Sequence, residues 1–141
     1  MAWAMHDNEY ANVVALPDFD RYSYLCAKLG DWRKVWSLRN ADGWVVAGDD
    51  DGREGVPVWP HPRFAEACAS GPWEGCGAAP ITLEDWMNKW LPGMERDNRY
   101  VAAFVLPGTP NRGIKVEPAK HREHLLQELA RYGDAGDSAE E

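Results

Sequence analysis

Seven tryptophans lie between Trp32 and Trp90, and Trp3 makes eight in a chain of 141 residues. That is several times the usual share, and it constrains the fold more than any other feature. Each buried indole takes about 150–250 Å² out of water, which at about 25 cal/mol per Å² of apolar surface is a contribution of several kcal/mol before ordering entropy is subtracted. The middle of the chain is therefore expected to collapse around these rings, with most of them inside. One or two of them remain candidates for an aromatic contact surface, since Trp is favoured at binding hot spots. The length suits one domain, and a chain of this size buries roughly two-thirds of its extended surface, so it needs no disulfide or metal staple.

Charge and cysteine content narrow the function. The formal net charge is −8, which repels phosphate backbones and argues against nucleic acid. No stretch approaches 18 consecutive apolar residues, so no membrane span is expected. The first ten residues carry Asp7 and Glu9 and lack a basic stretch followed by an apolar one, so no secretory signal is expected. Three cysteines, Cys26, Cys68 and Cys76, without a close CxxC pair, fit free thiols in a reducing, cytoplasmic compartment.

Periodicity predicts nine elements. Residues 1–16 are weakly patterned, with a helical turn or two over Met5 to Leu16. A helix is expected over 17–29, with Phe19, Tyr22, Cys26 and Leu29 on one face and Gly30 as its terminator. Arg33 to Arg39 alternates as a strand, Asn40 to Gly43 is a turn, and Trp44 to Ala47 returns. Gly48 to Gly52 makes the next turn. Val56 to Trp59 is a third strand, placed at an edge or bulge because Pro57 lacks a ladder donor. A helix over 62–70 turns Phe64, Ala67 and Cys68 inward, and Trp73 to Pro80 reads as a loop. Thr82 caps the next helix, whose apolar stripe is Leu83, Trp86, Met87, Trp90 and Leu91. Pro92-Gly93 kinks or ends it, with one more turn available over 94–97. Tyr100 to Leu106 is apolar on both faces, as a covered strand is. Pro107 to Gly113 turns the chain into a last strand, 113–116. A final helix opens at Glu117-Pro118, places Leu125, Leu126, Leu129 and Tyr132 on one face, and ends at Gly133. The expected domain is thus 17–133, preceded by the segment 1–16 and followed by a disordered acidic tail, 134–141. The order α-β-β-β-α-α-β-β-α gives an α+β fold, a mostly antiparallel sheet of about five strands with helices packed on it.

The motifs Val35-Trp36-Ser37-Leu38, Asp42-Gly43-Trp44 and Pro57-Val58-Trp59 lead to Leu83-Glu84-Asp85-Trp86, Trp90-Leu91-Pro92-Gly93-Met94-Glu95-Arg96-Asp97 and Gly113-Ile114-Lys115-Val116-Glu117-Pro118. In that order, over about residues 20–130, the chain resembles a bacterial family known as domain of unknown function 2750. The resemblance implies a shared fold and a bacterial source, and it implies no activity. The chain departs from the family pattern at Pro60-His61-Pro62, where a serine-rich turn is usual, and at Val105-Leu106, where an Asn-Trp pair is usual.

Chemistry-bearing clusters are few. Asp49, Asp50 and Asp51 with Glu54 lack the alternating spacing of a calcium loop and read as a solvated turn. His61, Cys68, Cys76, His121 and His124 offer zinc-ligand types at spacings that match no zinc pattern, and the two helical histidines read as part of a polar face. No Gly-x-Ser-x-Gly frame and no phosphate-cradling Gly motif occurs. Cys76, flanked by two glycines, is the most exposable thiol, and a pairing with His61 is its only visible route to catalysis. No metal and no cofactor is expected. The strongest lead is a surface or groove formed by Trp59, His61, Arg63, Trp86, Trp90, Arg96 and Asp97. The expected function is a non-enzymatic binding or protein-interaction module. In one version it is an acidic, antitoxin-like or immunity-like protein that caps a basic partner; in another its partner is a second copy of itself. The alternative is a small-ligand-binding protein or enzyme with a Trp/His-lined pocket.

Overall fold

The computed structural model describes residues 3–48, 51–107 and 113–136, with side chains as far as residue 131. Two helices come first, α1 (Asp7–Val14) and α2 (Asp18–Trp32). Four strands follow: β1 (Lys34–Asn40), β2 (Gly43–Trp44), β3 (Ala47–Gly48) and β4 (Glu54–Val58). Helix α3 (Pro62–Ala67) and a 3-10 turn (Gly71–Trp73) lead to β5 (Gly77–Thr82). Next come α4 (Leu83–Asp85), a π-helical turn (Trp86–Trp90) and α5 (Leu91–Arg96). Strands β6 (Tyr100–Ala103) and β7 (Ile114–Val116) precede the last helix, α6 (Pro118–Gly136). The class is α+β. Among the described residues no helix is long and apolar enough to cross a membrane.

The strands form two sheets, ordered β2-β1-β5 and β3-β4-β6-β7. Every pairing is antiparallel except β4 with β6. The crossover between that parallel pair carries α3, β5, α4 and α5, which gives it the length such a connection requires. A bridge between Trp36 and Trp59 joins the sheets, with the two backbone N–H···O bonds both at 2.8 Å. Helices α2 and α6 pack on each other, and they reach β1 and β6 respectively.

Local chemistry accounts for the elements. Asp18 and Asp20 favour the positive end of α2, and Tyr22, Leu25, Cys26 and Leu29 form its buried stripe. Phe19, expected on that stripe, is 78% exposed; it lies one turn ahead of Tyr22, where α6 leaves a groove instead of a covering surface. The helix also passes Gly30 and ends at Arg33, which takes the left-handed conformation with φ 62°. The Asn40 side chain accepts from Asp42 N–H at 2.8 Å, and Gly43 has φ 127°, so the β1–β2 turn forms as its residues dictate. Thr82 caps α4 by accepting from Asp85 N–H at 3.1 Å. Pro92 has no N–H and would crowd the Asn88 carbonyl in a regular helix. The wide turn immediately before it, closed by Leu91 N–H to the Trp86 carbonyl, carries the helix through to Arg96.

Several expectations are corrected. The loop over 73–80 contains β5, an edge strand whose Ala78, Ala79 and Pro80 hide its periodicity. Pro57 sits at the seam between the sheets, not at an outer edge, and its carbonyl accepts from the Ser37 hydroxyl at 2.6 Å. The strand expected over 44–47 is split into β2 and β3. Ala67 is half-buried while Ala65 faces the core. Residues 1–16 carry α1, which is two turns long. Helix α6 continues to Gly136, past the Gly133 terminator, and residues 137–141 of the acidic tail lie outside the described residues. So do Asp49 and Asp50 of the acidic turn and residues 108–112 of the turn after β6.

Trp59 and Trp86 are the two tryptophans wholly inside the core, with Tyr100, Phe64, Phe104 and Leu38. Trp3, Trp36, Trp44, Trp73 and Trp90 are half-buried, and Trp32 is 40% exposed. The rings therefore grade from core to surface instead of filling the centre.

Candidate functional site

The seven residues of the expected aromatic surface fall into separate places. Trp59 is fully buried, and its Nε1–H donates to the Val105 carbonyl at 2.7 Å. His61 Nδ1 accepts from Arg63 N–H at 3.0 Å, which caps α3, while its Nε2 lies 2.6 Å from the Trp3 carbonyl. The Arg63 guanidinium stacks over Tyr10 and pairs with Asp7 at 2.8 Å. His61 and Arg63 thus fasten the N-terminal segment to the body. Trp86 is also fully buried. Trp90 packs against it and meets Trp44 edge-on at 5.1 Å, and Arg96 and Asp97 are exposed neighbours on the end of α5. Trp90 and Asp97 share one shallow depression with Lys89, Gly93 and Met94. Among the described residues no group of three or more His, Cys, Asp or Glu side chains is placed to hold a metal ion.

A different site is assembled between α2 and α6. It is a groove of about 680 Å³, within the range of about 300–1,000 Å³ typical of small-molecule sites. Helix α2 contributes Phe19, Tyr22, Ser23 and Cys26, α6 contributes His124, Gln127, Glu128 and Arg131, and Leu16 closes one end. At its floor the Tyr22 hydroxyl sits 2.8 Å from His121 Nδ1 and 2.8 Å from His124 Nδ1. His121 is fully buried and lies edge-on to Trp86, with ring centroids 6.0 Å apart. His124 is half-buried and lines the groove.

The floor is electrostatically fixed. Burial, helped by neighbouring His124, pushes the His121 imidazole down to about 3, so it stays neutral. Burial raises the Tyr22 phenol far above its ordinary range, with Cys26 adding to the effect. The Cys26 thiol is pushed up to about 11, again chiefly by burial, which makes it a poor nucleophile. Glu128 pairs with Arg131 at 3.5 Å on the outer wall. The site thus has a buried polar floor, a mixed-charge wall and an apolar lip.

Sequence reasoning missed this site. Reading His121 and His124 as a polar helix face was wrong for His121, which lies four residues before Leu125 on the buried stripe of α6. The available signal was a histidine at a core position of one amphipathic helix and a tyrosine at a core position of another.

The family model described as a protein of unknown function (DUF2750) matches residues 22–125, about three-quarters of the chain. The chain belongs to the DUF2750 family. The DUF2750 match takes in Tyr22, Cys26, His121 and His124, and stops short of Leu16, Phe19, Gln127, Glu128 and Arg131. The two departures from the DUF2750 pattern fall away from the groove, at the α3 cap and at the strand end whose Val105 carbonyl accepts from Trp59 and Cys68. Searches of the curated proteins and of the solved structures find no match to this chain.

Proposed function

We propose that this chain is a non-enzymatic binding module and that the groove between α2 and α6 is its binding face for a small ligand. The observation that carries the reading is the composition of the groove: an exposed Phe19 ring at its lip over a floor where Tyr22 holds two imidazoles. Ligand sites characteristically combine apolar walls with a few converging polar groups. Catalysis by the groove's own thiol is disfavoured, because Cys26 holds its proton to about pH 11. The net charge of −8 adds a long-range preference for neutral or cationic ligands and partners over polyanions.

The test is a fragment screen read by amide chemical shifts on the full chain. Ring-containing fragments are expected to move the amides of Phe19, Ser23, His124 and Gln127 together, and Phe19→Ser is expected to weaken these hits without unfolding the protein. Fragments that map reproducibly to another surface, or that leave these amides unmoved, would sink the reading.

A further inference from the structure

A hydroxyl has one proton to give and two lone pairs to fill. The Tyr22 oxygen meets two Nδ1 atoms, and an imidazole nitrogen is a better acceptor than the neighbouring Cys26 sulfur, so the hydroxyl donates to one imidazole and accepts from the other. A neutral ring that gives its Nδ1 proton to Tyr22 has a bare Nε2, and a ring that receives the Tyr22 proton carries its own on Nε2. The tautomers of His121 and His124 are therefore opposite and linked.

The far side of His121 decides which way the chain runs. Among the described residues His121 Nε2 is buried without a hydrogen-bond partner, and so is Nε1 of Trp86, the ring in contact with it. A proton on His121 Nε2 would add a second unanswered N–H group to that of Trp86. A bare Nε2 leaves a single unanswered donor, and buried N–H groups without acceptors are the rarer defect. His121 thus carries its proton on Nδ1 and gives it to Tyr22, Tyr22 donates to His124 Nδ1, and His124 carries its own proton on Nε2. That atom is on the opposite side of the ring from Tyr22 and makes no hydrogen bond among the described residues.

We infer that His124 is a specificity-determining donor, held in that state by Tyr22 and His121. The groove accordingly takes ligands that bring an uncharged acceptor oxygen, a carbonyl, to His124 Nε2 and lay an apolar body along Leu16 and Phe19. The ligand class rests on the groove being the binding face; the tautomer assignment does not.

Long-range ¹H–¹⁵N spectra of the imidazoles in the full chain at neutral pH read the tautomers directly. His121 protonated on Nδ1 and His124 on Nε2 is the expected pattern, and the reverse overturns the inference even if fragments still bind in the groove. A phenyl ketone and the alkylbenzene of the same shape supply the ligand arm. The ketone is expected to bind about three- to tenfold more tightly, the worth of one hydrogen bond, and to shift the His124 Nε2 resonance; equal affinity refutes the ligand class. In Tyr22→Phe the preference is expected to fall toward parity, and an unchanged preference refutes the positioning role of Tyr22. If neither fragment touches the groove, the binding-face reading fails and the ligand class fails with it, while the tautomer spectra still report on the floor.

Discussion

Gly55 is the position where one added methyl group should be felt most. It stands directly across from Tyr100 in the parallel β4–β6 pair. A Cβ there would lie 2.4, 2.6 and 2.8 Å from three atoms of the Tyr100 ring, well inside contact distance. The ring has little room to retreat: Tyr100 is 1% exposed, with the Arg53 guanidinium 5.5 Å and the Lys115 ammonium 4.9 Å from its centroid. Swinging the ring out would forfeit burial of about 150–250 Å², roughly 4–6 kcal/mol at 25 cal/mol per Å². The cheaper response is local overpacking strain of about 1–3 kcal/mol. Gly→Ala recovers about 0.4–1 kcal/mol through the unfolded chain, so Gly55→Ala should lose about 1–2 kcal/mol net. For a protein with a urea m-value of about 2 kcal/mol/M, the midpoint falls by about 0.5–1 M. Adding Tyr100→Leu should make room for the extra methyl group, giving a coupling energy of about 1 kcal/mol or more in the double-mutant cycle. A Gly55→Ala protein as stable as the parent, with no coupling to residue 100, would refute this account of the β4–β6 seam.

Three further predictions concern the groove and the thiols. Tyr22→Phe leaves the buried His121 Nδ1 without its partner and should cost about 1–3 kcal/mol in denaturant unfolding with the helical circular dichroism preserved; unchanged stability would mean that the bridge carries no weight. His121 is lowered to about 3 in the fold, so its neutral state contributes stability in full above the unfolded imidazole value of about 6.5. That contribution is lost as pH falls from about 6.5 toward about 3, because the unfolded chain takes up the proton first. His121→Gln should flatten this acid limb, whose slope is at most about 1.4 kcal/mol per pH unit, and parallel stability curves for parent and variant would contradict it. Cys26 and Cys68 are buried and both pushed up to about 11, whereas Cys76 is half-buried. Mass spectrometry after brief alkylation of the native protein should therefore find one modified thiol, at Cys76, and three after denaturation.

Much of the fold was legible because local chemistry and tertiary packing agree there. The Thr82 cap, the Asn40–Gly43 turn, the stripe of Leu83, Trp86, Met87 and Leu91, and the fully covered Tyr100 strand all form where their residue types predict. Strand β5 was not legible: Gly77-Ala78-Ala79-Pro80 offers no alternation of large and small side chains, and it pairs because β1 has a free edge to offer. The end of α2 was misplaced by the reasonable inference that Gly30 stops a helix, when the left-handed residue is Arg33. The groove stayed hidden for a related reason. Tryptophan content drew attention to indoles, and two of the named rings, Trp59 and Trp86, are interior, while the polar floor is built from three residues scattered over a hundred positions. Nothing in spacing alone says that Tyr22 and His121 face each other across two helices.

The parallel pairing of β4 and β6 has a bearing on how the chain is made. When β4 leaves the ribosome, the neighbour that will cover its long side is still about forty residues from being synthesised, and contacts closed over such distances form late. Until Tyr100 to Ala103 arrive, a strand with the sequence Gly-Val-Pro-Val exposes an open edge to whatever surrounds it. Pro57 gives that edge no protection, because its carbonyl faces Ser37 of β1 and the place of its missing N–H lies on that same side, away from β6.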